Sequence, residues 1–184
     1  MSKEARTQAQ GRAVENQEII LGMGKFTIGD IDIALTRGGG QFLVEREIRN
    51  IEADGMKAYG EDMLVIDREQ PKLVMNQLSI LTDADFTKLY CALKSTPLSE
   101  EETGIAISST DDLVIKTESY VTVKWTGVTN KGKKVVIELA KAINLENIDW
   151  ALVDKSEVIN KLTYTGVAPK GKTKAEWTVK FLSA

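Results

Sequence analysis

Hydrophobic and polar positions between Asp30 and Leu81 form two strand-like runs around a polar excursion. From Gln41 to Ile51 the pattern alternates, with Phe42, Val44 and Ile48 on one side and Leu43, Glu45, Glu47 and Arg49 mostly on the other. Successive strand side chains point to opposite faces, so such a run buries one face and shows charge on the other. Gly38-Gly39-Gly40 just ahead of it suits no helix and predicts a turn or bulge entering the strand. The return run is Val65 to Asp67 and then Lys72 to Leu81. Between the two, Glu52 to Asp62 is too polar to pack a core, and Asp54-Gly55 and Tyr59-Gly60 are turn signals inside it. Connections of this length are usually functional or mobile. The pattern predicts a long hairpin as the organising element.

The rest of the chain reads as short strands around one helix. Ile19 to Leu21, Lys25 to Ile28 and Asp30 to Thr36 are strand-like, the last with acids on a solvated face. Thr82 to Ser95 predicts the helix. Thr82 is a candidate N-cap, Asp83 and Asp85 sit in the first turn, and Phe86, Leu89, Tyr90 and Leu93 form an apolar stripe. Pro97 prevents continuation. Leu98 to Asp112, with Glu100-Glu101-Glu102, predicts an acidic surface loop. Ser119 to Gly127 and Lys134 to Leu139 predict a hairpin turned at Asn130-Lys131-Gly132. Asn147 to Val153, Val158 to Thr165 and Glu176 to Phe181 complete the strands. Met1 to Glu18 is polar and carries three bases and three acids, so it is expected to be a flexible arm ahead of one domain over residues 19–184.

Composition removes several kinds of chemistry. The 184 residues suffice for one real core, and no apolar run approaches a membrane span or a signal peptide. Histidine is absent and Cys91 is the only cysteine, which excludes Ser-His-Asp and Cys-His catalysis, zinc clusters and disulfides. Cys91 in an apolar pattern reads as a packed residue. Asp30 with Asp32, and Asp111-Asp112, are carboxylate pairs better read as solvated loops than as cation sites. Trp125, Trp150 and Trp177 each lie in a strand-like run and are expected in the core or at a subunit interface. The net charge of −3 is unevenly spread. Residues 30–67 carry nine acids and four bases, whereas residues 131–184 carry ten lysines and six acids. Unlike signs at the two ends favour head-to-tail self-association, and scatter of surface charge accounts for them almost as well.

Gly166-Val167-Ala168-Pro169-Lys170-Gly171-Lys172-Thr173 satisfies the phosphate-loop pattern. That chemistry needs a helix after the loop, so that helix-terminal amides face the phosphates. Here Trp177, Val179 and Phe181 alternate as a strand and the sequence then ends, so a lysine-bearing hairpin turn is expected instead. No catalytic, cofactor or metal residues are expected.

Three blocks carry a resemblance. The first runs from Leu35-Thr36-Arg37-Gly38-Gly39-Gly40 through Phe42 and Glu45-Arg46-Glu47-Ile48-Arg49-Asn50-Ile51-Glu52-Ala53-Asp54-Gly55. The second is Val74 to Leu81 with the helix after it. The third is Leu139 to Ala142, Leu152 to Val158 and Leu162 to Gly166. In this order they resemble the major tail tube proteins of long-tailed (siphovirus-like) bacteriophages. The acidic 98–112 segment and the lysine-rich tail depart from that family. The resemblance implies a mainly β, sandwich- or barrel-like protomer with one flanking helix and a long hairpin loop, similar to the tube protein of type VI secretion. It implies a structural, non-enzymatic virion protein, assembled in the bacterial cytoplasm into hexameric rings that stack into a DNA-conducting tail tube. Its partners would be copies of itself, the tape measure, tail terminator and distal tail proteins, and DNA in transient passage, with no membrane binding. The tube of a phage-tail-like bacteriocin or other DNA-free injection particle is the alternative, and a small nucleotide-binding enzyme a third reading. Within this frame Asn50, Glu52, Asp54, Gly55, Lys57, Tyr59, Glu61 and Asp62 are expected to form the ring-stacking loop. Glu45 and Glu47 are candidates for a net-negative lumen, with pairing to bases across subunits as the competing role.

Overall fold

The computed structural model describes residues 18–33, 36–52, 54–55, 58–78, 83–98 and 104–183. Among them lie ten strands: β1 (Ile20–Ile28), β2 (Ile31–Ile33), β3 (Thr36–Asn50), β4 (Leu64–Gln77), β5 (Leu93–Pro97), β6 (Ile105–Ser109), β7 (Val121–Thr129), β8 (Lys134–Asn144), β9 (Asn160–Gly166) and β10 (Trp177–Leu182). A helix, α1 (Asp83–Leu89), sits between β4 and β5, and a short 3-10 turn covers Thr117–Ser119. The protein is mainly β, as expected. No helix among the described residues is long and apolar enough to cross a membrane.

Eight strands make one antiparallel sheet in the order β2-β1-β7-β8-β9-β4-β3. β10 lies off this path and pairs with β8. The edge of β8 is shared, with β9 against Ala142 to Asn144 and β10 against Lys134 to Leu139. Between them a bulge in β8 lets Val121 face Ala142 while Val123 faces Leu139. Before that extra residue only Val135 and Leu139 of β8 are buried, and after it Ala142, Ile143 and Asn144 all are.

The sheet curls so that its two ends meet across the core. A Cβ on Gly40 of β3 would stand 2.4 Å from the Phe26 ring of β1 and 2.6 Å from the Val74 carbonyl oxygen. Trp125 is seated in a similar way. Gly24 and Gly127 are cross-strand partners, and a Cβ on either would fall within 2.4 Å of the indole. The core gathers Phe26, Ile28, Ile31, Ile33, Leu73, Met75, Val123, Trp125, Val135, Leu139, Leu162 and Tyr164 from the sheet, with Leu89 and Tyr90 from the α1 end. Asn144 fastens α1 to it: its Nδ2 donates to the Leu89 carbonyl (3.0 Å), to which the Tyr164 hydroxyl also donates (3.2 Å). Burial drives the Tyr164 phenol far above its ordinary pKa.

Both strands of the expected hairpin are present. Gly38 and Gly39 take positive φ (79° and 73°), and the β3–β4 register shifts between Thr36 and Gly40, which is the expected bulge. Ile20–Ile28 is one strand with an irregularity between Ile20 and Gly24, where two short strands were expected. Other elements correct the sequence reading. The helix stops at Leu89, because Ala92 turns with φ 58° and Leu93 enters β5. The expected acidic loop contains β6, which pairs with β5. Residues 145–159 have no regular structure. Asn144 Oδ1 accepts from the Glu146 and Thr163 amides (3.1 and 3.3 Å), where a ladder would otherwise continue. The 167–176 segment does not turn a hairpin, since β9 and β10 both pair with β8 and not with each other. Met1 to Gln17, Ala53, Lys57 and Thr82 lie outside the described residues. Glu18 is held by Thr129 (2.8 Å) and Lys133 (2.7 Å), which lower its pKa.

Candidate assembly surface

The outer half of the β3–β4 hairpin has a different set of supports from its base. From Lys72 to Gln77, β4 lies between β3 and β9. From Leu64 to Gln70 its only strand partner among the described residues is β3. Side chains stiffen this half instead. The Trp177 indole N–H donates to Glu69 (3.0 Å), and Arg46 Nε donates to the other carboxylate oxygen (2.7 Å). Those two bonds hold the Glu69 carboxyl below its usual range. Phe42 packs on Trp177 with ring centroids 5.5 Å apart. Glu47 faces Arg68 and Ile48 faces Ile66, so Asp67 is an extra residue in β4. Arg49 grips Asp67 through Nε and Nη2 (2.8 and 3.2 Å).

Beyond this clamp the surface is apolar and exposed. Ile48, Ile51, Leu64 and Ile66 are each about half exposed, although a β-hairpin normally hides one face. Asn50 faces Leu64, and its side-chain oxygen is buried with no hydrogen-bond donor among the described residues. The Ile51 amide bonds the Met63 carbonyl (2.8 Å) and closes the root of the loop. Glu52, Asp54, Gly55, Tyr59, Glu61 and Asp62 are all exposed, and Gly55 and Asp62 take positive φ (88° and 65°). The loop is thus polar outside and apolar at its root. β3 also ends the sheet's order, so its outer edge, 15 residues long, has no strand partner among the described residues.

Glu45 and Glu47 share the hairpin face opposite Phe42 and Val44, as alternation requires. That face is charge-balanced rather than acidic. Lys72 reaches Glu45 (2.7 Å), and Arg68 stands across from Glu47. Glu45 pairs within its own chain, a role the sequence reading did not weigh.

The sequence reading missed a second apolar surface. Leu145, Ile148, Trp150, Leu152 and Val153 are all exposed in the irregular 145–159 segment. Their signal was an apolar run broken by acids without strict alternation. Trp150 packs edge-on against Phe86 (5.6 Å), which packs on Tyr90 (5.4 Å).

A concavity of about 460 Å³ lies between β1, α1 and residues 110–121. Ile28, Tyr90, Leu93 and Val121 form its apolar part. At its rim Lys88 pairs with Asp30 (3.4 Å) and Lys116 with Asp112 (2.9 Å). Among the described residues no three Cys, Asp or Glu side chains are arranged to hold a metal. Residues 167–176 lead into β10 and not into a helix, so the phosphate-loop pattern lacks the helix-terminal amides it requires. No protein-family model and no curated protein matches this chain.

Proposed function

We propose that this chain is a structural subunit that assembles into stacked rings, as the major tail tube proteins of long-tailed bacteriophages do, and forms a tube for DNA delivery. The observation that carries the reading is the β3–β4 hairpin. It joins a long strand edge without a strand partner among the described residues to an exposed apolar patch at the root of its end loop. An open edge is a template for pairing with another chain, and short or covered edges are the usual protection. Covering the edge with a neighbouring copy around a closed ring satisfies it in every subunit. The exposed apolar tip then remains for contact along the tube axis. Hexameric symmetry and a tail-tube fold come from the resemblance alone.

Purified protein examined by light scattering and negative-stain microscopy over a range of concentrations and salt tests the proposal. Rings and hollow tubes are the expected result. A chain that stays monomeric throughout overturns it.

A further inference from the structure

The two apolar surfaces lie at opposite ends of the same hairpin. β9 begins directly after the 145–159 segment, and its first residue, Asn160, faces Gln77 at the end of β4 farthest from the tip. Arg37 Nη1 at the start of β3 ties down Glu157 (2.5 Å). From Trp150 on, the segment therefore lies toward the base of the hairpin, whereas Leu145 lies beside Glu47 and Arg68 in the outer half; base and tip are separated by the length of β4. Its 14 residues at about 3.3 Å each span roughly 45 Å.

We propose that residues 148–153 are the seat for the β3–β4 tip of a second copy stacked along the hairpin axis. The inference rests on the tube reading above and names the surfaces that meet. Ile48, Ile51, Leu64 and Ile66 of one copy lie against Ile148, Trp150, Leu152 and Val153 of the next. A tip-to-tip contact would close as a dimer and leave both seats exposed. A head-to-tail contact covers both surfaces in every copy with a single kind of interface, and such a contact propagates without closing. The seat is formed before docking. Asn144 pins the start of its segment, and the Trp150–Phe86–Tyr90 stack backs it with the core. Leu113 and Val114 are also exposed, but they flank the concavity beside α1, off the hairpin's line.

Charge gives the contact an unusual salt response. Residues 50–63 and residues 145–159 each carry four acids and one lysine. Two acidic surfaces that join through apolar side chains repel less as salt screens them. Raising salt from about 0.1 M to about 1 M shortens the screening length from ~10 Å to ~3 Å, so stacking should strengthen. A contact made by the acids of 30–67 with the lysines of 131–184 would weaken instead. Each patch is small beside the roughly 800 Å² per partner of a stable interface, so single copies should stack poorly and whole rings well.

The experiment uses the full chain with Cys91→Ser. Ile51→Cys is combined with Leu152→Cys in one variant and with Leu113→Cys in another. After oxidation of assembled protein, the first is expected to give a ladder of disulfide-linked chains and the second none. A ladder from the Leu113 variant alone overturns the assignment. Leu152→Glu with Val153→Glu is expected to keep the protomer's melting transition and lose tubes at all salt concentrations. Normal tubes from that variant overturn the seat while leaving the tube reading intact. Failure of the unmodified chain to assemble overturns the tube reading and the seat with it.

Discussion

At the scale of single residues, the tightest packing surrounds glycines whose missing side chains are filled by aromatic rings. Gly40→Ala places a methyl against the Val74 carbonyl oxygen and the Phe26 ring, and the oxygen belongs to a strand held on both edges. The expected loss is about 1–3 kcal/mol, read from denaturant midpoints. Glu69 gives a prediction with a sign. Its carboxyl titrates below the usual range in the folded chain, first through the Trp177 bond and then through Arg46. Its charge therefore stabilises the fold fully above the ordinary carboxylate range. That stability is lost as pH falls through the lowered folded value. Glu69→Gln keeps an acceptor for the indole but loses the Arg46 charge pair. It should lower the melting temperature at neutral pH and flatten its decline into acid, which a pH series of thermal melts will read. None of this was legible in the sequence. Gly24 and Gly40 meet their aromatic partners across strands, whereas Gly127 lies two residues along β7 from Trp125, and only the fold reveals which ring fills which gap.

At the scale of elements, alternation and turn chemistry were informative wherever one strand face is buried. Phe42 and Val44 against Glu45 and Glu47, the Gly38-Gly39 bulge and the Asn130-Lys131-Gly132 turn all lie where the pattern placed them. The helix was overextended for a physical reason. Leu93 does pack on the core, so the apolar stripe is real, but two elements build it. Pairing of Leu93–Pro97 with Ile105–Ser109 outweighs a helix propensity of only tenths of a kcal/mol per residue. The apolar residues of 145–153 imitated a strand, and their exposure depends on an Asn144 side chain that no periodicity reports. For the hairpin tip, replacing residues 53–61 with a short Gly-Ser turn should leave the thermal transition of the protomer unchanged, because the clamp from Phe42 to Asp67 remains. The same variant should form no tubes in the microscope, and normal tubes from it would remove the polar 53–61 loop from the assembly contact.

At the scale of the whole molecule, the proposed tube carries an expectation about the charge of its channel wall. Lysines along a DNA path bind phosphates and hold the strand, whereas carboxylates repel it. The balanced face of Glu45, Glu47, Arg68 and Lys72 gives this idea a sharp test. Glu45→Lys with Glu47→Lys turns that face strongly basic. If it lines the channel, tubes should still form while DNA ejection, measured from assembled particles, slows or stalls. If tubes are lost, the two acids belong to a subunit contact. A separate consequence follows from the shared edge of β8. Gly166 faces Ala142 and Trp177 faces Leu139, so β9 and β10 are nearly collinear pieces of one interrupted strand. The ten residues from Val167 to Glu176 leave that line and return to it. They form a detour whose two ends stay fixed whatever its length, with Ala140 bonding the Glu176 carbonyl (3.0 Å) and Val167 bonding that of Lys141 (2.9 Å). A foreign peptide spliced at Gly171 would lengthen the detour without moving either strand, which makes this loop a natural place to carry a displayed epitope or fluorescent tag.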